Sequence, residues 1–286
     1  MKTAIVTDTN SGIYEAEGKE LGIFVVPMPI IVGETSYYEG ITMTHALFFE
    51  KLRGEEPIHT SQPAPGDVTA LWDRVLEEYE ELVYIPMSSG LSGSMQTATL
   101  LAEDYDGKVQ VVDNRRISVT MRHSVLDAIA MVKAGLCALE IKRILEEKAL
   151  ESTIFLGVET LSYLKNGGRI TQTAAAIGTI LNIKPLLIIK GDKIDQFATV
   201  RGSRNCKRRE LEEMKRVADE MERKGFRIRI GLAGSFQYEK DVEEWKEMAR
   251  DAFPGVEIHY DPLAYSVCCH TGPDAFGIGV SSCWEG

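Results

Sequence analysis

The stretch IPMSSGLSGSMQTA, residues 85–98, places four serines (Ser88, Ser89, Ser92, Ser94) and two glycines (Gly90, Gly93) between an apolar run and a helical pattern. Hydroxyls at a strand-to-helix turn can cap the helix, attack a carbonyl, or donate hydrogen bonds to an anion. Serine is a preferred N-cap, so capping accounts for any one of them. It does not account for four. A helix that starts near Ser92 also offers unpaired backbone N–H groups and a positive dipole end. The Ser92 hydroxyl and the Gly93 N–H are therefore candidates for holding an anion. A second hydroxyl pair, Thr60 and Ser61, lies in HTSQPAPGDV (59–68). The residue before a proline is driven extended, which stiffens this loop, although the segment also reads simply as the lead into a helix. A third cluster is Gly167-Gly168-Arg169, where glycines permit close backbone approach and arginine supplies a permanent cation. The fourth is His270, followed by Thr271-Gly272-Pro273.

Other chemistries fit less well. A nucleophile elbow needs G-x-S-x-G between strand and helix, and residues 90–94 read G-L-S-G-S, without the last glycine. Ser92, with Asp261 and His270 downstream, does keep the order of a hydrolase triad. A serine hydrolase or esterase using Ser92 and His270 is thus the alternative reading. No H-G-G-G oxyanion segment accompanies it. No G-x-G-x-x-G follows the first apolar run and no G-K-[ST] occurs, so no nucleotide cofactor is expected. In an extended stretch Cys268 and His270 share a face and Cys269 points away. That opposes a zinc site, which needs converging ligands. No metal is expected, and both cysteines read as buried apolar residues.

Short apolar runs alternate with helical patterns, which favours an α/β architecture with a largely parallel sheet. Strands are expected at 3–7, 23–27, 82–85 and 109–112, and helices at 14–19, 46–53, 68–79, 95–102, 119–133 and 139–148. This first block, 1–152, reads as a doubly wound lobe. A second α/β lobe, 153–286, starts with a strand at 153–158. There follow a loop (164–171), an apolar helix (174–181), a strand pair turned at Gly191-Asp192 and an amphipathic helix at 210–224. Strands at 228–233 and 256–260 flank a helix at 241–250, and a turn-rich segment from Cys268 leads to the last strand.

At 286 residues, with 44% hydrophobic and 26% charged residues, the composition is that of a soluble globular protein. A formal charge of -11 argues against general affinity for nucleic acid or anionic membrane. The longest apolar stretch, Ile23 to Val32, carries Pro27 and Pro29, so no membrane span is expected. Five cysteines without C-x-x-C spacing suit reduced thiols and a cytoplasmic setting.

The segments VTDTNSGI, TSQPAPGDV, SSGLSGSMQTA, VVDNRRIS, ETLSYLKNGGRIT, ILNIKPLL, VRGSRN and HTGPDAFGIG stand together in this order, and the whole chain resembles the DegV family. The resemblance implies a two-lobed α/β protein that holds one long-chain fatty acid between its lobes. It implies a lipid-binding protein without its own catalytic residues, presenting the acyl carboxylate to a separate, ATP-using fatty acid kinase subunit. On the matching motifs, Thr60 and Ser92 would hold the carboxylate, while Arg169 and His270 would lie near the head group. The Gly93 N–H joins them from the helix-terminus reasoning, with Ser61 a further candidate. Candidate walls for the acyl tail are 174–183 and 23–32. The basic run RGSRNCKRRE (201–210) offers Arg201, Arg204, Lys207, Arg208 and Arg209 for docking the kinase subunit, or is simply a solvated helix start.

Overall fold

The computed structural model describes residues 2–54, 56–170, 182–191 and 193–286. The chain forms two compact units. One comprises Met1–Ile117, Met121–Leu150 and Trp284–Gly286, the other Ser118–Thr120 and Glu151–Cys283.

In the first unit, strands β1 (Thr3–Asp8), β2 (Phe24–Val26), β6 (Glu81–Ile85) and β7 (Val109–Val111) form a sheet in the order β2-β1-β6-β7. Every pair in it is parallel. Successive side chains of a strand face opposite ways, and both faces of this sheet are covered. Ala4, Val6, Leu82 and Tyr84 pack with Val68, Leu71, Trp72 and Val75 of helix α3 (Pro65–Leu76). Ile5, Val83 and Ile85 pack on the other face against helices α5 (Ser118–Lys133) and α6 (Ala138–Glu147), through Val125, Met131, Ile141 and Leu145. The layout is doubly wound. From β1 the chain moves outward to β2 and later returns to β6 on the other side of β1. The order therefore reverses between β1 and β6, and the carboxyl ends of these two strands flank the crevice where such sheets bind ligands.

Between β2 and α3 lies a small antiparallel sheet, β4-β3-β5, made of β3 (Pro29–Val32), β4 (Thr35–Tyr38) and β5 (Ile58–Thr60). The run 23–32, expected as one wall, is thus two strands in two sheets, broken at Pro27, which has no N–H for a ladder. The expected wall at 174–181 lies outside the described residues.

The second unit is built on a six-stranded sheet, β10-β9-β8-β13-β11-β12. These strands are β8 (Ser152–Gly157), β9 (Ile183–Lys190), β10 (Lys193–Arg201), β11 (Ile228–Gly234), β12 (Ile258–Pro262) and β13 (Phe276–Ser282). Only β11 and β12 pair in parallel. The largely parallel arrangement expected from alternation thus holds for the main sheet of the first unit, while the sheet of the second is mostly antiparallel. The expected strand pair is present as β9 and β10, with Gly191 at φ 72° beginning its turn. Helices α8 (Ser203–Arg223) and α9 (Glu239–Ala252) pack on this sheet through Leu211, Met214, Val242 and Trp245.

Three local expectations are corrected. Residues Ser162–Gly167 form a helix, α7, that runs into the first half of the expected loop and is closed by Gly168 at φ 67°. Helix α8 begins at Ser203, well before residue 210. Residues Tyr265–Thr271 form a helix, α10, so Cys268 and His270 do not share a strand face. Cys268 is buried there, whereas Cys269 is only half-buried.

Candidate functional site

The chain leaves β6 at Ile85 and turns through residues 86–93 into helix α4 (Ser94–Ala102). That turn is held from several sides. The Met87 N–H donates to Asp8 Oδ2 at 2.9 Å. Asn114 Nδ2 donates to the Pro86 carbonyl at 3.2 Å, and the Ser88 N–H donates to the Arg116 carbonyl at 3.0 Å. Ser89 Oγ donates to Asp113 Oδ2 at 2.7 Å. The buried Arg116 guanidinium is itself fixed, donating to the carbonyls of Lys148 and Ala149 and to Ser124 Oγ. The Ser88 carbonyl then accepts from the Leu91 and Ser92 N–H groups at 3.0 and 3.2 Å. VVDNRRIS thus acts as the bed of the serine loop.

The Ser92 hydroxyl is compatible with both roles, cap and anion ligand. Ser92 Oγ accepts from the Ser94 N–H at 3.2 Å. That uses an oxygen lone pair and leaves the hydroxyl proton to be donated elsewhere. Ser92 is half-buried, and Gly93 is exposed immediately before the helix, where N–H groups have no intrahelical acceptor. Ser94 Oγ is buried and has no hydrogen-bond partner among the described residues.

Thr60 ends β5, opposite Ile30 on β3, and is half-buried; Ser61 is exposed. Two residues on, Gln62 Oε1 accepts from Thr97 Oγ at 3.0 Å. The same oxygen lies 3.4 Å from where a Cβ on Gly93 would stand. The TSQP segment is therefore clasped to the start of α4 through Gln62, two residues after Thr60.

Asp8, at the carboxyl end of β1, is completely buried. Burial raises its pKa to about 6, against the lowering effect of the Met87 and Asn10 donors. Desolvation by complete burial outweighs the three N–H contacts.

In the second unit, α7 meets α10. A Cβ on Gly167 would fall 2.0 Å from His270 Nδ1, and one on Gly272 would fall 2.5 Å from the Tyr163 ring. NGGR and HTG, a hundred residues apart in the chain, are thus packed together with no room for a methyl group. Arg169 is exposed, and its guanidinium donates to the Gly167 carbonyl. Burial, and then the Arg169 charge, lower the His270 pKa to about 4, so the imidazole is neutral at physiological pH.

The hydrolase alternative lacks its geometry. An elbow holds its serine on a strained backbone, and Ser92 is not among the residues with left-handed φ. Asp261 faces His259, with Oδ1 at 2.8 Å from Nε2. Among the described residues no group of three or more His, Cys, Asp or Glu side chains could hold a metal. The basic run also divides. Lys207 is buried, with its ammonium 3.1 Å from Glu244, and Arg209 pairs with Glu213, which leaves Arg201, Arg204 and Arg208 exposed. Asp8, Gln62 and Asn114 brace these loops, a role the sequence analysis assigns to none of them. A buried acid at the end of the first strand was their only visible signal.

Comparison with known proteins follows the same lines. The chain is 28% identical over 282 residues to a DegV domain-containing protein of Deinococcus radiodurans, covering 98% of both. Its structure is similar to that of a DegV family protein of Thermus thermophilus described for its fatty acid binding. The TM-score is 0.88 and the identity 29%, over 99% of this chain and 100% of that one. It is also similar to DegV of Bacillus subtilis, described as a fatty acid binding protein. There the TM-score is 0.84 and the identity 25%, over 99% of each chain. A family model described as "Uncharacterised protein, DegV family" matches residues 2–282, and the chain belongs to the DegV family.

Proposed function

We propose that this protein binds one long-chain fatty acid and presents its carboxylate to a separate ATP-using kinase subunit for acyl-phosphate formation. The observation that carries this reading is the Ser92 hydroxyl, whose oxygen is engaged by its own helix start while its proton remains to be given to an anion. The fatty-acid-binding relatives from Thermus thermophilus and Bacillus subtilis support the choice of a fatty acid as that anion. Thr60 and the Gly93 N–H complete the carboxylate seat, with Ser61 at its exposed margin. Arg169 and His270, in the second unit, are the remaining head-group candidates. A permanent cation beside a neutral imidazole suits a group that gains negative charge.

The energetics fit an amphiphile. Each methylene removed from water contributes about 0.8 kcal/mol, so a tail of roughly sixteen carbons contributes on the order of 10 kcal/mol before ordering losses. The polar seat then has to fix orientation more than supply affinity. Organic extraction of the purified protein followed by mass spectrometry should release a fatty acid at about one per chain. Release of a nucleotide or sugar phosphate without lipid would refute the reading. The kinase part has its own test. Charge reversal at Arg204 and Arg208 should slow acyl phosphorylation at low salt without changing fatty acid affinity, because steering by exposed charge is screened by salt. An unchanged rate would remove this surface from the docking role.

A further inference from the structure

VTDTNSGI lies at the carboxyl end of β1, and none of its side chains belongs to the proposed carboxylate seat. Its two central residues nevertheless reach both halves of that seat. Asp8 Oδ2 accepts from the Met87 N–H at 2.9 Å, the first fixed point of the loop that carries Ser92. Its other oxygen accepts from the Asn10 N–H at 2.9 Å and Asn10 Nδ2 at 2.8 Å, which aims the carboxylate. Thr9 turns the opposite way. Its Oγ accepts from the Met28 N–H at 3.1 Å and donates to the buried Glu39 carboxylate. Met28 leads into β3, whose Ile30 pairs with Thr60, and the Met28 carbonyl accepts from the Glu39 N–H at 3.1 Å.

We propose that Asp8 and Thr9 form a positioning bracket, Asp8 holding the Ser92 loop and Thr9 the small sheet that carries Thr60, so that one dipeptide sets the spacing of the two clamp hydroxyls. This rests on the carboxylate reading above. Both residues are positioning residues. Neither touches the ligand, and each acts through one backbone N–H. Spacing matters because two hydroxyls can share one carboxylate only within the narrow distance range of a hydrogen bond.

The test is a set of double-mutant cycles on fatty acid affinity. Thr9→Val removes one hydroxyl at nearly constant volume, and Asp8→Asn replaces an oxygen acceptor that faces the Met87 N–H. Each should weaken binding roughly tenfold in the wild-type background, the loss of one oriented hydrogen bond. Coupling should follow the bracket's two arms. Asp8→Asn should cost less than about twofold once Ser92 is Ala, yet keep its full effect when Thr60 is Ala. Thr9→Val should show the reverse, and Thr9→Ser should restore affinity to within about twofold. A general loss of structure would instead lower affinity equally in every background, and that result, or no loss at all, overturns the bracket. If Asp8→Asn does not fold, the Thr9 arm decides alone. Wild-type protein that binds no fatty acid overturns the underlying reading and the bracket with it. Binding that responds to Ser92→Ala and Thr60→Ala without the predicted coupling overturns only the bracket.

Discussion

His270, a candidate head-group residue, also makes stability depend on pH. Burial and the Arg169 charge lower its pKa from 6.5 to about 4. The unfolded chain therefore takes up a proton before the folded one does. Stability present above pH 6.5 is lost as pH falls through that window towards 4. His270→Gln, which cannot titrate, should flatten the dependence of the second unit's unfolding free energy between pH 7 and 4.5, as measured by urea denaturation at the two pH values. An unchanged slope would mean that the imidazole is not held neutral by its surroundings. The expected gain from removing the titration is smaller than the full shift implies, because the ring is half-buried and solvent screens part of it. At neutral pH the arginine is the cation of the pair and the histidine a neutral hydrogen-bonding group.

Among elements, the meeting of α7 with α10 is the tightest joint near a candidate residue. Gly167→Ala should push the imidazole out of place, because a Cβ cannot stand 2.0 Å from a ring nitrogen. Overpacking of this kind typically costs about 1–3 kcal/mol. An NMR titration should show the His270 pKa moving up towards 6.5 as the ring is released into water, and a pKa that stays low would contradict the packing. Helix α8 makes a second prediction. Cys206, Glu210 and Met214 form one buried stripe facing the sheet, and burial raises the Glu210 pKa well above its ordinary value. Stability held by the protonated acid is present at low pH and lost as pH rises through that raised value. Glu210→Gln should therefore stabilise the second unit at pH 8 relative to wild type, and much less at pH 4. Equal effects at both would refute the buried, protonated acid. Elements of this kind differ in how readable they are in sequence. Strands β1 and β6 are legible because both their faces are apolar, and α8 is legible from its period, though not its start, since basic residues at Arg204, Lys207 and Arg208 mask the first turns. The small sheet β3-β4-β5 is not legible. Its strands have three or four residues each, and β5 joins β3 only across an intervening helix and loop. The hydroxyls of the seat stand out in sequence as a cluster. Asp8 and Asn114 do not, because their role lies in contacts made across the carboxyl edge of the sheet.

For the whole molecule, the formal charge of -11 makes an anionic ligand a problem to be solved locally, since the long-range field repels it. The proposed solution in the first unit is short-range: hydroxyls and a helix start at the reversal point of a parallel sheet, with no cation in the seat. Among the described residues no helix is long and apolar enough to cross a membrane. The central claim is that the serine loop recognises the carboxylate of a fatty acid, and the most direct measurement compares head groups at constant tail. Affinities of one fatty acid and its fatty alcohol are determined for wild type, Thr60→Ala, Ser92→Ala and the double variant, each shown to be folded. Each hydroxyl contributes a charge-assisted hydrogen bond of about 1.5–3 kcal/mol. Either single change should therefore weaken the acid roughly tenfold to a hundredfold. The double change should cost less than the sum, because a carboxylate released from its clamp is rehydrated. The alcohol should be nearly indifferent to all three. Fatty acid affinity within about twofold of wild type in the folded double variant would contradict the account and leave Ser92 as no more than a helix cap.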